Sequence, residues 1–204
     1  MSEIDKKALY SLSYGLFVLT SNDGTKANGC IVNTCMQVTE NPTQLCVCVN
    51  KANYTAQTIS KTGKFAVSIL TTSTPFSVFE HFGFRSGRDV DKFSDFSRYA
   101  LTQGGLPYLT ENCNAFFEAE VKQEIDCGTH IMFIAQVTQA EVLSSEESVT
   151  YAYYFANIKP KPEAAKKKGY VCKICGYVHE GEELPDDFVC PWCKHPASDF
   201  EPLK

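Results

Sequence analysis

The sequence has little of what would place it in a membrane, on a secretory route or on nucleic acid. Its N-terminus, Met-Ser-Glu-Ile-Asp-Lys-Lys, has no apolar stretch of the kind that forms a secretory leader. Apolar runs such as Ile131–Val137 are broken by polar residues and are too short to span a bilayer. Positive charge is not in excess: 19 Lys and Arg stand against 24 Asp and Glu, a formal charge of -5, which argues against a broad basic nucleic-acid platform. With 9 prolines and 12 glycines in 204 residues, collagen-like and proline-rich chains are excluded. The sequence has no Gly-x-Gly-x-x-Gly and no Gly-x-x-x-x-Gly-Lys-Ser/Thr, so neither a Rossmann dinucleotide site nor a P-loop is indicated. Internal repeats and low-complexity tracts are also missing. The expectation is a cytoplasmic protein with no membrane or nucleic-acid partner, in a reducing compartment that disfavours disulfides.

What is present is a 44% apolar composition, enough for a medium domain and a small satellite, and 10 cysteines. Six of these, Cys30, Cys35, Cys46, Cys48, Cys113 and Cys127, are scattered through apolar or alternating sequence and read as buried thiols acting as small hydrophobes. The other four form Cys172-Lys-Ile-Cys175 and Cys190-Pro-Trp-Cys193, two knuckles separated by 14 residues. That spacing marks a metal site.

Residues 1–158 read as one mainly β domain. A short helix is expected over Ile4–Ser13. Strands are expected over Gly15–Ser21, Gly29–Val38, Leu45–Asn50, Phe65–Leu70, Ala115–Ile125, His130–Val142 and Ser148–Ala156, all rich in Val, Ile, Phe, Tyr and Thr. Ser21-Asn-Asp-Gly24 reads as a hairpin turn. Asn53–Thr62 has a helical pattern capped by Asn53 and stopped by Gly63, and Thr74–Phe82 suggests another short helix. This density of strands argues for a barrel rather than a doubly wound parallel sheet.

Residues 159–168, Lys-Pro-Lys-Pro-Glu-Ala-Ala-Lys-Lys-Lys, carry five lysines against Glu163 and nothing large and apolar, and read as a linker. Residues 169–204 hold three lysines against seven acidic residues, a net -4. So short a module cannot hold a fold by core burial alone, and a metal should supply the missing folding energy. Two facing knuckles make a tetrahedral S4 site that iron and zinc both accept. Tyr170, Tyr177, Phe188, Trp192 and Phe200 supply an aromatic wrapper that would exclude water and tune a metal's potential.

Tyr170-Val-Cys172-Lys-Ile-Cys175-Gly176-Tyr177, Leu184-Pro-Asp-Asp-Phe188-Val-Cys190-Pro191-Trp-Cys193 and Asp199-Phe200 together resemble a rubredoxin. The resemblance implies one iron held by Cys172, Cys175, Cys190 and Cys193, carrying one electron. The segment between the knuckles is shorter than in free-standing rubredoxins. Lys194 stands where the family usually has Gly, at a position that calls for positive φ.

Three stretches of the front domain could cradle a cofactor. Lys26–Thr34 offers small residues and amides for the edge of a planar ring. Val49–Thr55 lies at a strand-to-helix junction, where Lys51, Thr55 and free helix N–H groups suit a phosphate. His81–Arg88 supplies arginines and glycines. In this order, with Tyr14-Gly15-Leu16, Asn28-Gly29, Asn33-Thr34, Gln37-Val38-Thr39 with Pro42, Ser60-Lys-Thr-Gly63 and Gly128-Thr129-His130, they resemble the flavin reductase-like family, whose fold is the FMN-binding split β-barrel. Thr129 replaces an acid that relatives often carry.

The resemblance implies that Asn28, Gly29, Cys30, Asn33 and Thr34 line the isoalloxazine. It implies that Asn50, Lys51, Asn53 and Thr55 form the ribityl phosphate site. Phe84, Ser86 and Arg88 would close over the cofactor, and His130 would lie on its flavin or nicotinamide side. No side chain is assigned as a catalytic acid or base. Members are usually homodimers. Both resemblances together are to the high-molecular-weight rubredoxins, in which a flavin reductase is fused to rubredoxin. They imply electron flow from NADH or NADPH through FMN to an Fe(Cys)4 centre and on to a flavodiiron-type acceptor that reduces dioxygen or nitric oxide. The other readings are an FMN/iron relay without its own NAD(P)H activity, and a zinc-ribbon interaction or structural protein.

Overall fold

A computed structural model of the chain describes residues 4–160 and 169–203. Most of the linker reading, residues 161–168, lies outside the described residues. The opening helix is a 3-10 turn, Lys6–Ser11.

The alternating runs form antiparallel strands. β1 (Phe17–Asn22) and β2 (Ala27–Val32) make a hairpin in register from Phe17↔Val32 to Asn22↔Ala27. At its turn Asn22 Oδ1 accepts from the Gly24 N–H at 2.9 Å, and Gly24 holds φ at 86°, which a side chain would resist. The run Gly29–Val38, expected as one strand, breaks at Asn33-Thr34. The chain continues as β3 (Cys35–Thr39), which pairs with β4 (Gln44–Asn50) instead of β2.

That break shapes the molecule. With β5 (Lys64–Leu70), β8 (Cys113–Asp126) and β9 (His130–Val142), the main sheet has seven strands in the order β2-β1-β5-β8-β9-β4-β3. A flat sheet of that size would put its end strands about 29 Å apart, at about 4.8 Å per step. Only Asn33 and Thr34 join β2 to β3, so the sheet has to curl until its ends approach. Cys30 and Val32 of β2 accordingly share one apolar core with Val47 and Val49 of β4. The mainly β expectation holds, but among the described residues no ladder joins β2 to β3, and the seam stays open.

Helix α1 (Tyr54–Thr62) follows its local signals. Asn53 Oδ1 accepts from Thr55 N at 3.0 Å, and Gly63 ends the helix with φ of 69°. Ala56 and Ile59 bury its inner face in the core behind the seam. Helix α2 (Phe76–Gly83) packs Val78, Phe79 and Phe82 into a second core. A small hairpin, β6 (Tyr99–Leu101) with β7 (Pro107–Leu109), was not expected.

The strand expected over Ser148–Ala156 is not formed. After single bridges at Ser148 and Thr150, the chain turns into a short helix, Tyr151–Tyr153, and a π-helical turn, Tyr154–Ile158. Thr150 Oγ1 caps it by accepting from Tyr153 N at 3.1 Å, and the Tyr154 ring packs 4.6 Å from Phe79. The cap and the aromatic seat outweigh the strand propensity of the run.

All ten cysteines are free thiols. Of the six front-domain thiols, Cys30, Cys46 and Cys113 are buried, and Cys35 and Cys48 are half-buried. Cys127 departs from the expectation: it lies exposed at the β8–β9 turn. Burial pushes Cys35 and Cys113 up to about 12, so neither is a ready nucleophile.

The C-terminal residues form a separate three-stranded sheet, β11 (Val178–Glu180), β10 (Gly169–Cys172) and β12 (Phe200–Pro202) in that order. No described helix is long and apolar enough to cross a membrane.

Candidate cofactor cavity and metal centre

The two knuckles are near copies of each other. In the first, Gly176 N donates to Cys172 O at 2.8 Å and Cys172 N to Tyr177 O at 2.8 Å. In the second, Lys194 N donates to Cys190 O at 2.9 Å and Cys190 N to His195 O at 2.8 Å. Both turns close on a residue of positive φ, Gly176 at 80° and Lys194 at 63°. Their Sγ atoms meet: Cys172 to Cys193 is 3.6 Å, Cys175 to Cys190 is 3.4 Å, and all four lie within 4.8 Å of one another. A tetrahedron with metal–sulfur bonds of about 2.3 Å has edges of about 3.8 Å, so the four sulfurs fit one metal ion.

Proton sharing prepares this cluster. Hydrogen bonding from Cys193 lowers the Cys175 pKa, while burial raises that of Cys190. Cys193 is pushed up in turn, chiefly by donating to Cys175. A cation takes these sulfurs as thiolates, so its binding displaces their protons. Phe188 and Phe200, 5.3 Å apart edge to face, wall the cluster with Tyr177.

A cavity of about 600 Å³ opens at the sheet seam beside this centre. Asn33 at the end of β2, Asn50 at the end of β4 and Asn53 at the start of α1 line one wall. Phe84, Ser86 and Arg88 line another, and His130, which opens β9 opposite Asn50, reaches the same space. Of the expected cofactor residues these seven converge. The other six do not line the cavity. Asn28, Gly29 and Cys30 lie behind it in β2, and Thr34 Oγ1 turns to Asn33 Oδ1 at 3.0 Å. Thr55 is buried in the first turn of α1 and accepts from Asn28 Nδ2 at 2.6 Å. Lys51 points to the hairpin tip and pairs with Asp126 at 2.6 Å, holding that carboxyl below its usual range.

Arg88 takes the place expected of Lys51. Its Nη1 donates to Ala52 O at 2.8 Å, and its guanidinium lies 5.8 Å from the Tyr54 ring centroid. A fixed positive charge thus stands beside the free N–H groups at the start of α1, which suits an anion such as a phosphate. The Arg88 loop is clamped to β2: Lys26 Nζ donates to Gly87 O at 2.7 Å. A Cβ on Gly87 would come within 2.0 Å of Asn28 Oδ1, so only glycine fits there. That amide oxygen is buried without a hydrogen-bond partner. Cavity size, amide-lined wall and anion corner together fit a flavin mononucleotide.

Lys92 and His195 carried no signal in the sequence. Lys92 is 2% exposed, and its Nζ donates to Gly29 O at 2.7 Å and Phe82 O at 2.8 Å, tying α2 to β2 behind the cavity. Thr129 Oγ1 lies 2.8 Å from His130 Nδ1, and burial and nearby His195 lower the His130 pKa. Cys175, Trp192, Cys193, Lys194 and His195 of the metal module also line the cavity. The two centres therefore border one space.

Comparison with known proteins identifies both parts of the chain. Residues 9–161 match the flavin reductase like domain family, and residues 170–201 match the rubrerythrin, rubredoxin-like domain family. The high molecular weight rubredoxin of Moorella thermoacetica is 37% identical over 98% of this chain and all of its own length. The ferric-chelate reductase (NAD(P)H) of Archaeoglobus fulgidus is 39% identical over 78% of this chain and 93% of its own. Among solved structures, the NADH:FAD oxidoreductase of Streptomyces globisporus C-1027 superposes with a TM-score of 0.65 over 74% of this chain and 91% of its own, at 21% identity, a likeness of fold.

Proposed function

The chain belongs to the flavin reductase-like family, joined as in the high-molecular-weight rubredoxins to a rubredoxin-like module with four cysteine ligands, and from that premise we propose an NAD(P)H-dependent oxidoreductase that delivers electrons through FMN to its own iron centre. In this reading residues 1–158 form the flavin domain, 159–168 the linker and 169–204 the electron-carrying module. FMN, when bound, accepts a hydride and yields electrons singly, and iron carries one electron at a time. The carrying observation is that Cys175 and Cys193 border the same cavity of about 600 Å³ as Asn33, Asn50 and Arg88.

The chain's own residues bind and orient. The start of α1 and Arg88 hold the phosphate. Asn33, Asn50 and Asn53 present amides to the ring and ribityl edges. Val49 and Leu16 give the ring an apolar seat and limit water. Lys51 and Thr55 support the site from outside the cavity. His130, held by Thr129, lies where a nicotinamide amide or a flavin carbonyl would need a partner.

The net -4 of the C-terminal module suits docking on the basic rim of an acceptor, of the flavodiiron type in this reading. A homodimer is part of the same reading. It is supported by the exposed Met36 and Val38 on the end strand β3, where an uncovered apolar edge invites a second copy.

The test is an anaerobic visible spectrum of the purified protein with flavin, iron and zinc quantitation, followed by titration with NADH and NADPH. Yellow flavin, one iron per chain and rapid bleaching by a nicotinamide are expected. At full flavin occupancy, no bleaching with either nicotinamide overturns the enzyme and leaves a relay. Zinc without iron would indicate the interaction protein.

A further inference from the structure

The metal module does more than border the cavity; it covers it. Trp192, between the ligands Cys190 and Cys193, stacks on Phe84 with ring centroids 5.0 Å apart and planes 14° from parallel. Phe84 ends α2 and opens the loop that carries Ser86 and Arg88. A second tie lies on the other side. Lys159 Nζ donates to Ile174 O inside the first knuckle at 2.9 Å, with its ammonium 4.4 Å from the Phe155 ring centroid. The module is therefore docked on its own front domain, held by an aromatic stack and a lysine.

The cavity between them, about 600 Å³, is of the size that takes one cofactor-sized molecule. A flavin nucleotide on the α1–Arg88 wall would fill most of it. A dinucleotide must bring its nicotinamide ring onto the flavin ring from the uncovered side, and on that side stand Trp192, Cys193 and His195. Both cannot be there together.

We propose that the docked module and the dinucleotide occupy this face in turn, with the Phe84–Trp192 stack as the latch between them. The inference rests on the flavin reading above. Dinucleotide entry opens the latch, and closure expels the oxidised dinucleotide and returns the iron centre to the cavity. The balance NAD(P)H + 2 Fe(III) → NAD(P)⁺ + 2 Fe(II) + H⁺ then takes one opening per dinucleotide and two loadings of the iron in the closed state, the first electron leaving the chain before the second is taken.

Trp192 is the single tryptophan of the chain, so its fluorescence reports the latch. The experiment uses the full chain with flavin and iron bound, and a non-reducing tetrahydro analogue of NADH or NADPH whose binding is followed by the flavin absorption. Saturating analogue is expected to raise acrylamide quenching of Trp192 about twofold or more and to shift its emission to the red. Phe84→Leu should show that open state without ligand. Loss of one stacked aromatic pair should lower the apparent KM for the dinucleotide about three- to tenfold, measured with ferricyanide as acceptor, while iron reduction slows by a similar factor. Trp192→Leu should give the same split between KM and iron reduction. A packing role alone would not lower KM. Analogue binding that leaves Trp192 quenching unchanged, or a KM that rises in both variants, overturns the proposal. Failure of the nicotinamides to bleach the flavin at all would strike the reading above, while the Trp192 quenching of Phe84→Leu would still report whether the stack holds the module down.

Discussion

Lys194 holds φ at 63°, a conformation in which a side chain crowds the backbone, and its N–H closes the second knuckle on Cys190. The equivalent position in the first knuckle is Gly176. Lys194→Gly should stabilise the metal-loaded module by about 0.5–1 kcal/mol, the relief of strain less the entropy glycine adds to the unfolded chain. Denaturation of the loaded protein measures it, and a loss of stability would mean that the Lys194 side chain holds more than its backbone costs. Lys92 gives a pH dependence. Burial brings its pKa down to about 8 from 10.5. Below pH 8 both the folded and the unfolded chain carry the charge, and the fold bears the cost of burying it. Between 8 and 10.5 only the unfolded chain keeps its proton, so stability rises with pH, by about 3 kcal/mol at 1.36 kcal/mol per pK unit. The neutral amine still has two N–H donors for Gly29 O and Phe82 O. Stability of the wild type relative to Lys92→Met should climb by that amount across this window in urea titrations, and a flat difference would mean that water reaches the ammonium. The four ligand cysteines were legible because two short turns determine which sulfurs meet. Lys92 was not, because its burial depends on Gly29, 63 positions away.

Among the elements, α1 was readable in full, since Asn53 and Gly63 act within one turn of the helix they bound. The split between β2 and β3 was not, because Asn33-Thr34 looks like strand sequence and breaks only when the sheet curls. For Tyr151–Ile158 the aromatic run spoke for a strand, while the deciding contact, Tyr154 on Phe79, is tertiary. The cation beside the start of α1 is Arg88, while Lys51 is paired with Asp126, 75 positions away on the hairpin tip, a contact that local sequence does not announce. The C-terminal element set carries its own prediction. Its sheet is three short strands, and its buried cluster consists of Cys172, Cys175, Cys190 and Phe200. Three of these four are metal ligands, so the core forms around the ion. Removing the metal with a chelator, or Cys190→Ser, should abolish hydrogen-exchange protection over β10–β12. The main sheet has its own cores and should melt within about 2 °C of its loaded value, since the opening of one cooperative unit need not weaken another. Retained protection in the metal-free module would show that its aromatic wrapper suffices.

At the scale of the whole molecule, the docking of one module on the other decides how electron flow responds to dilution and salt. The contact inside the chain is an aromatic stack, Phe84 on Trp192, with one lysine on a carbonyl. None of these pairs two opposite charges, so added salt has little to screen. Glu182, Glu183, Asp186 and Asp187 of the module are all exposed and none lines the cavity, so in the proposed function delivery to a partner from these residues would depend on long-range charge. The two transfers should therefore separate. After a single dinucleotide pulse under anaerobic stopped flow, reduction of the chain's own iron should be first order, with a rate unchanged over a hundredfold dilution and nearly unchanged from low salt to about 0.5 M. Onward delivery to a basic acceptor should be second order and fall about tenfold or more over the same salt range, as steered association does. A tethered module that only visited its flavin domain through charge would give an intramolecular rate that falls with salt. One that served neighbouring chains instead would give a rate that falls with dilution. Either result would show that the stacked contact at Phe84 is not the route by which this chain loads its metal centre.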